Sequence, residues 1–398
     1  MEIQKYFELN KESQYALLNF IEEEMATDAK FQELIIFIEE KKIKENKEIL
    51  KDFLQLISSI SINHHRNCDF FAKFSKILIH LKEDIKQAFT NTEIFHIFKK
   101  IKPIIQILLK NNILTFDQSY IDLLISKKKY YEMKYYIYFY PEIKQMTKLK
   151  DFEDEIQDFM SYEENFFDNF EQKREESENH SYLCSLIRKD SIEEFVIYVN
   201  KLNINLSQTK ILNSYFETNS FLQKQKVSLI EYTAFFGSIQ IFKYLKMNNV
   251  KLTPSLWPYA IHSNNAELIS ILEENHVKPE DETFCQCFIE AIKCHHNEIA
   301  NYIYDFLLDK KCLDQSNNQI SNNNITNIVL TSLKYHNYYY LDIITDFFTN
   351  KDISDNDTGR NNVFFTCCKY DLKIILEFIL KNIKIDLNTI FAYKNIKV

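Results

Sequence analysis

A block of this chain returns twice downstream of itself, and that limits the fold more than any other feature. Ser228 to Leu245 reads Ser-Leu-Ile-Glu-Tyr-Thr-Ala-Phe-Phe-Gly-Ser-Ile-Gln-Ile-Phe-Lys-Tyr-Leu. Shifted by 27 residues, the pattern reappears as Ser255-Leu256-Trp257, Ala260-Ile261, Asn264-Asn265, Glu267-Leu268-Ile269 and Leu272. A further shift of 31 gives Cys287-Phe288, Ala291-Ile292, His295-His296, Glu298-Ile299 and Ile303. Weaker echoes lie at Leu186 to Val199, Leu330 to Phe347 and Phe364 to Leu380. The end of the block recurs too: Leu245 to Val250 resembles Leu272 to Val277, and Leu108 to Ile113 resembles both. A recurrence at about this length means one supersecondary unit used repeatedly, with neighbours burying faces that a single unit cannot bury alone.

Two antiparallel helices per block satisfy the pattern. The first is short and places small Ala234, Ala260 or Ala291 where helices approach closely. The second carries Ile239, Ile241, Phe242 and Leu245 as a stripe at helical spacing. The chain must reverse between them, and Gly237 sits there, with Asn264 and Asn265 at the matching place in the next block. Glycine adopts positive φ freely and asparagine tolerates it next best. Asn248 and Asn275 follow the second helices, where a left-handed residue is expected. This use of asparagine matters because the 398 residues contain only 2 glycines, Gly237 and Gly359. Two isolated glycines cannot build a G-x-G-x-x-G dinucleotide loop, a Walker loop or a G-x-S-x-G nucleophile elbow.

The remaining chain is read in the same terms. Residues 1–150 are expected to form a helical N-terminal region, with degenerate repeats from about residue 90. Apolar stripes at Leu17, Leu18, Ile21, at Leu50, Phe53, Leu54, Ile57, Ile60 and at Phe70, Phe74, Ile77, Leu78, Leu81, Ile85 carry that reading. Residues 151–178 are acidic and mark a linker or solvated helix between it and the repeats of 179–398. The Asn/Ser-rich stretch 314–327 reads as an inserted loop. Tyr130, Tyr131, Tyr135, Tyr136, Tyr138 and Tyr140 form a dense run that suits either an aromatic-packed helix or a recognition surface; packing is the favoured reading.

Residues 228–246 resemble an ankyrin repeat, T-P-L-H-x-A-A-x-x-G-H-x-E-I-V-x-x-L-L. Ser228 stands for Thr, Leu229 for Pro, Ile230 for Leu, Thr233-Ala234 for Ala-Ala and Gly237 for Gly. The T-P-L-H tetrapeptide is not intact and the 27-residue spacing is shorter than the usual repeat. Asn63-His64-His65-Arg66, Tyr138-Phe139-Tyr140-Pro141-Glu142-Ile143-Lys144 and Ala291 to His296 resemble a large uncharacterised ankyrin-type family, a domain of unknown function expanded in parasitic protists. The resemblance implies an all-α, ankyrin-type helical solenoid with a helical N-terminal region, and no assigned activity. It also implies that Tyr232, Tyr259 and Glu290, which precede the paired small residues, face the concave groove and contact a partner.

No catalytic, cofactor or metal set is expected from the residues. Cys285, Cys287, Cys294, His295 and His296 do not match zinc-ligand spacing, because the helix separates Cys287 from the histidine turn. His64-His65 with Arg66 and Cys68 lacks an orienting carboxylate in sequence and reads as a structural turn. The eight cysteines, among them Cys184, Cys312, Cys367 and Cys368, read as buried free thiols in a reducing compartment. Lys+Arg 48 against Asp+Glu 57 gives a net charge of −9, which disfavours nucleic acid as a partner. The N-terminus has no apolar h-region, and no apolar run is long enough to span a membrane. The expectation is a cytoplasmic or nuclear, non-enzymatic protein–protein interaction module. A cysteine- or metal-dependent hydrolase built on the His/Cys clusters and a purely architectural spacer are the alternatives.

Overall fold

The computed structural model describes residues 3–23, 28–67, 69–117, 135, 137–146, 167–223, 226–309, 321–340, 343–345 and 358–382. Among these the regular structure is helical and no β-strand forms; a single antiparallel bridge joins Lys210 to Ser228. No helix among the described residues is long and apolar enough to cross a membrane. Cys68, Cys312, Tyr130, Tyr131, Tyr136, the acidic residues 151–166 and residues 314–320 lie outside the described set. The chain divides into two compact units, Met1–Lys73 with Leu252–Val398, and Phe74–Lys251.

Local chemistry starts and stops the helices. In the first unit, α1 (Ile3–Ile21), α2 (Asp28–Glu40) and α3 (Lys47–Asn63) bury the apolar stripes read from the sequence. Asn46 caps α3 by accepting from the Glu48 and Ile49 amides. In the second unit, α4 (Asn91–Phe98) opens with a capping box between Thr90 and Glu93, and α5 (Lys102–Lys110) opens with Pro103 in its first turn. Tyr138 is fully buried there, donating to the Arg174 carbonyl at 2.9 Å, so this member of the tyrosine run packs inward, while Tyr135 and Tyr140 are half-buried.

The second unit continues with two helix pairs, α6 (Tyr182–Arg188) with α7 (Ile192–Lys201), and α8 (Leu229–Phe236) with α9 (Ile239–Met247). Corresponding helices pack side by side, α6 on α8 and α7 on α9. Ser228 and Glu231 form a capping box at the start of α8. The first unit holds α10 (Leu256–His262) with α11 (Ala266–Glu274), and α12 (Cys285–Cys294) with α13 (Asn297–Tyr302), which runs on into one π-helical turn. Next come α14 (Ser321–Tyr335), then α15 (Thr358–Tyr370) with α16 (Lys373–Asn382). Helices α10, α12, α14 and α15 lie in a row, each against the next. The Asn/Ser-rich stretch is therefore helical from Ser321 rather than a loop. Ile328, Val329 and Leu333 of α14 are fully buried, and that packing overrides weak local helix propensity.

The helix-to-helix turn has one geometry throughout. Asp190, Gly237, Asn264, His295, His336 and Asp371 all have positive φ, between 48° and 68°. The residue after each of five of them sends its amide back five positions: Ser191 to Leu186, Ser238 to Thr233, His296 to Ala291, Asn337 to Ser332 and Leu372 to Cys367. That is a Schellman closure. The second helices end in the same way at Asn203, Asn249 and His276, and so does α5 at Asn112. The left-handed residue is thus Asn249, not Asn248 (φ −86°), and His276, not Asn275 (φ −92°). The helix includes one residue more than the sequence reading allowed, because the C-cap residue still holds negative φ and only its successor must be left-handed.

The side chain after the left-handed residue ties neighbouring pairs together. Ser238 Oγ donates to the Ile187 carbonyl at 2.6 Å. His296 Nδ1 donates to the Ile261 carbonyl at 2.7 Å, and Asn337 Nδ2 to the Ile292 carbonyl at 2.7 Å. Each acceptor lies in the last turn of the preceding pair's first helix. In the first unit α1, α2 and α3 pack together, and α3 lies across α12 and α14. Lys51 pairs with Asp371, Gln55 Nε2 donates to the Tyr370 carbonyl, Ser59 Oγ meets His295 Nε2 at 3.5 Å, and His64 Nδ1 donates to the Cys294 carbonyl at 2.9 Å. From Lys51 to His64 a helix rises about 20 Å. That spans three helices spaced about 8–10 Å apart.

Candidate functional site

The place where α3 ends over the α12–α13 turn brings four histidines together. His64 and His65 end α3, and His295 and His296 form the turn. The ring centroids of His64, His65 and His296 lie 4.4 to 5.3 Å apart. One ligand atom from each of these three falls within 4.8 Å of the other two.

Backbone carbonyls settle two tautomers. A carbonyl only accepts, so His64 Nδ1, 2.9 Å from the Cys294 carbonyl, carries a proton. His296 Nδ1 carries one for the same reason, at 2.7 Å from the Ile261 carbonyl. The Nε2 atoms of both rings then point into the cluster. His296 Nε2 sits 3.3 Å from His65 Nδ1. His64 Nε2 has no hydrogen-bond partner, and Glu22 Oε1 lies 3.3 Å away. Burial, reinforced by the charge of His64, lowers His296 well below the ordinary range and takes His295 to about 3. Burial, with His64 and Lys73, lowers His65 to about 3. These three rings are neutral imidazoles at ordinary pH. His295 takes no part in the inward group: its Nε2 donates to the Tyr335 carbonyl at 2.9 Å.

A second group lies one turn away on α10 and α12. His262 Nε2 donates to Glu290 Oε1 at 2.7 Å, and Cys294 Sγ stands 3.5 Å from His262 Nδ1. The order thiol, imidazole, carboxylate is that of a nucleophilic relay. Yet Cys294 is 0% exposed, and burial pushes its thiol well up, away from the thiolate that reacts. Glu290 also accepts from Lys293 Nζ at 2.6 Å. Burial works against its ionised form, but His262 and Lys293 hold its carboxyl down at about 2.

The residues expected to face a partner occupy other places. Tyr232 and Tyr259 are 1% and 2% exposed, so their rings pack inside their units. Tyr232 Oη accepts from Arg188 Nη1 at 3.2 Å and lines a small cleft with Asn179, Leu212 and Glu217. Arg188 in turn meets Glu178 at 2.7 Å. Glu290 is bound into the second group just described. Tyr232 looks inward because its helix, α8, is buried on nearly every side: Leu229, Ile230, Tyr232, Thr233, Ala234 and Phe235 are all buried.

Sequence reading kept His64-His65 and His295-His296 apart as two separate turns. The structure brings them together, and adds Glu22 and His262, which no local motif singles out. Comparison with family models, with curated proteins and with solved structures gives no match.

Proposed function

We propose that this chain is a non-enzymatic protein–protein interaction module or scaffold of ankyrin-repeat type. The observation that carries the reading is the recurrence of one turn, a left-handed residue followed by a side chain that reaches back to the preceding helix pair. It recurs at Gly237-Ser238, His295-His296 and His336-Asn337. Pairs joined by a regular bond of this kind extend a surface without needing a catalytic cleft, which is how helical repeats bind partners. The chain's acidity suits a partner surface that mixes apolar and basic residues.

The test is affinity capture of the tagged full chain from its native cell, with stoichiometry measured by quantitative mass spectrometry. The reading predicts one protein recovered at a constant molar ratio after nuclease treatment. Recovery of no stoichiometric protein would favour an architectural spacer.

A thiol-dependent hydrolase is the second reading, favoured by the order Cys294, His262, Glu290. It requires rapid alkylation of Cys294 in the native chain. The interaction reading expects Cys294 to react only after unfolding.

A further inference from the structure

We propose that His64, His65, His296 and Glu22 form a binding site for a single divalent transition-metal ion, with zinc as the reference metal. The geometry supplies the ligands. His296 Nε2 is a lone-pair atom, because that neutral ring spends its one proton on a backbone carbonyl, and His64, whose Nδ1 is held by a carbonyl in the same way, turns its Nε2 toward the same point. Metal-binding histidines are held this way, with the far nitrogen bonded to a carbonyl or carboxylate that fixes ring and tautomer. His65 contributes Nδ1, which in the metal-free chain lends its proton to His296 Nε2. When the ion binds, the neutral His65 ring takes its Nε2–H tautomer, with no net loss of a proton, and both nitrogens are free to coordinate.

The spacing also fits. Ligands about 2.0–2.1 Å from a tetrahedral zinc lie about 3.3–3.4 Å from one another. His65 Nδ1 and His296 Nε2 are 3.3 Å apart, and so are His64 Nε2 and Glu22 Oε1. The three nitrogens already lie within 4.8 Å of one another. Without an ion, His64 Nε2 is a buried nitrogen with no hydrogen-bond partner. Neutral imidazoles with one carboxylate suit zinc, nickel, copper or iron better than magnesium or calcium. Glu22 is 42% exposed and provides the way in from solvent. The ion would clip the end of α3 and the residue after α1 to the α12–α13 turn, all within the first unit.

The Cys294, His262 and Glu290 group fits a metal less well. Its carboxylate is held by Lys293, and its imidazole already donates to that carboxylate.

The full chain, stripped of metal by chelation and dialysed, would be titrated with zinc against a chromophoric chelator. Cobalt would be used in parallel as a visible-absorption probe. The expected result is one zinc per chain, with the absorption of four-coordinate cobalt. His65→Ala and Glu22→Gln, at half-buried and exposed positions that tolerate truncation, should each weaken zinc by at least about tenfold. His296→Gln should abolish tight binding. Glu290→Gln should leave the affinity unchanged. Absence of stoichiometric zinc would overturn the proposal. So would affinity indifferent to His65→Ala and Glu22→Gln, or affinity lost in Glu290→Gln instead.

Discussion

The two units build the same turn with different chemistry. In the second unit the turn is Asp190-Ser191 and then Gly237-Ser238. Asp190 accepts from the Gln240 and Ile241 amides at 3.0 Å each, and a serine hydroxyl makes the link to the preceding carbonyl. In the first unit two of the turns are His295-His296 and His336-Asn337, whose side chains are buried; the others, at Asn264 and Asp371, are more exposed. The backbone demand is identical, a positive φ followed by a donor aimed at a carbonyl. The side chains differ with what covers them. A serine hydroxyl serves at Ser238, which is as buried as His296, and an acidic residue serves at Asp190, where the turn is half-buried. Imidazole and amide serve where α1 and α3 lie on top and every polar atom needs a protein partner.

The comparison breaks first at the linking donor. His296→Ala removes a buried ring and leaves the Ile261 carbonyl unpaired, for a cost of about 3 kcal/mol. Ser238→Ala removes only a hydroxyl and should cost about 1 kcal/mol. Equal losses in chemical denaturation would mean that the two turns are not equivalents.

Next comes Asp52 in α3, which accepts from Tyr6 Oη at 2.9 Å. Burial raises its carboxyl from the usual 3.8 to about 7; the Tyr6 bond and Lys51 oppose the rise, and Glu48 and Asp371 add to it. Tyr338 faces the same pair. With the folded value raised, stability from this group is full below about pH 4 and is lost as pH rises to about 7. Asp52→Asn should flatten that decline, which amounts to a few kcal/mol, and should be the more stable chain at pH 8. A wild-type stability that does not fall over this window, relative to Asp52→Asn, would contradict the assignment.

Smaller effects sharpen the caps. Asp190→Gly keeps a residue tolerant of positive φ but deletes both amide bonds, and should cost about 1 kcal/mol. Asn264→Gly should stabilise by a few tenths of a kcal/mol, since φ there is 54°. Asn275→Gly should destabilise by about 0.5 kcal/mol, because its φ is negative and glycine only adds unfolded-state entropy. Thermal melts of the two variants should move in opposite directions.

What was legible in the sequence was local. Gly237 ends a helix through bonds its own turn makes, and that end is where it was expected. The helical N-terminal stripes were legible for the same reason. Asn248 and Asn275 were misplaced by one residue, because the identity of a cap does not say whether it lies on or just past the last helical turn. The inward direction of Tyr232 and Tyr259 was hidden. A helix apolar on most sides does not announce which side meets a neighbour. The histidine cluster was hidden most deeply. His64 and His296 are separated by 232 positions in the chain, and each pair alone reads as a turn. Their meeting follows only from α3 lying across α12 and α14, and no local pattern encodes that.

The central claim is that at three of the left-handed turns the next side chain, Ser238, His296 or Asn337, reaches back to the preceding helix pair, and that at one of them in the first unit a buried imidazole does so. Two-bond ¹H–¹⁵N correlation spectra of histidine-labelled, metal-free chain at neutral pH test it most directly, with His296→Gln assigning the signal. The account predicts that His296 is neutral and protonated at Nδ1, with its proton shifted downfield by the Ile261 carbonyl. A His296 ring protonated at Nε2, or averaging between tautomers as solvent-exposed histidines do, would contradict it.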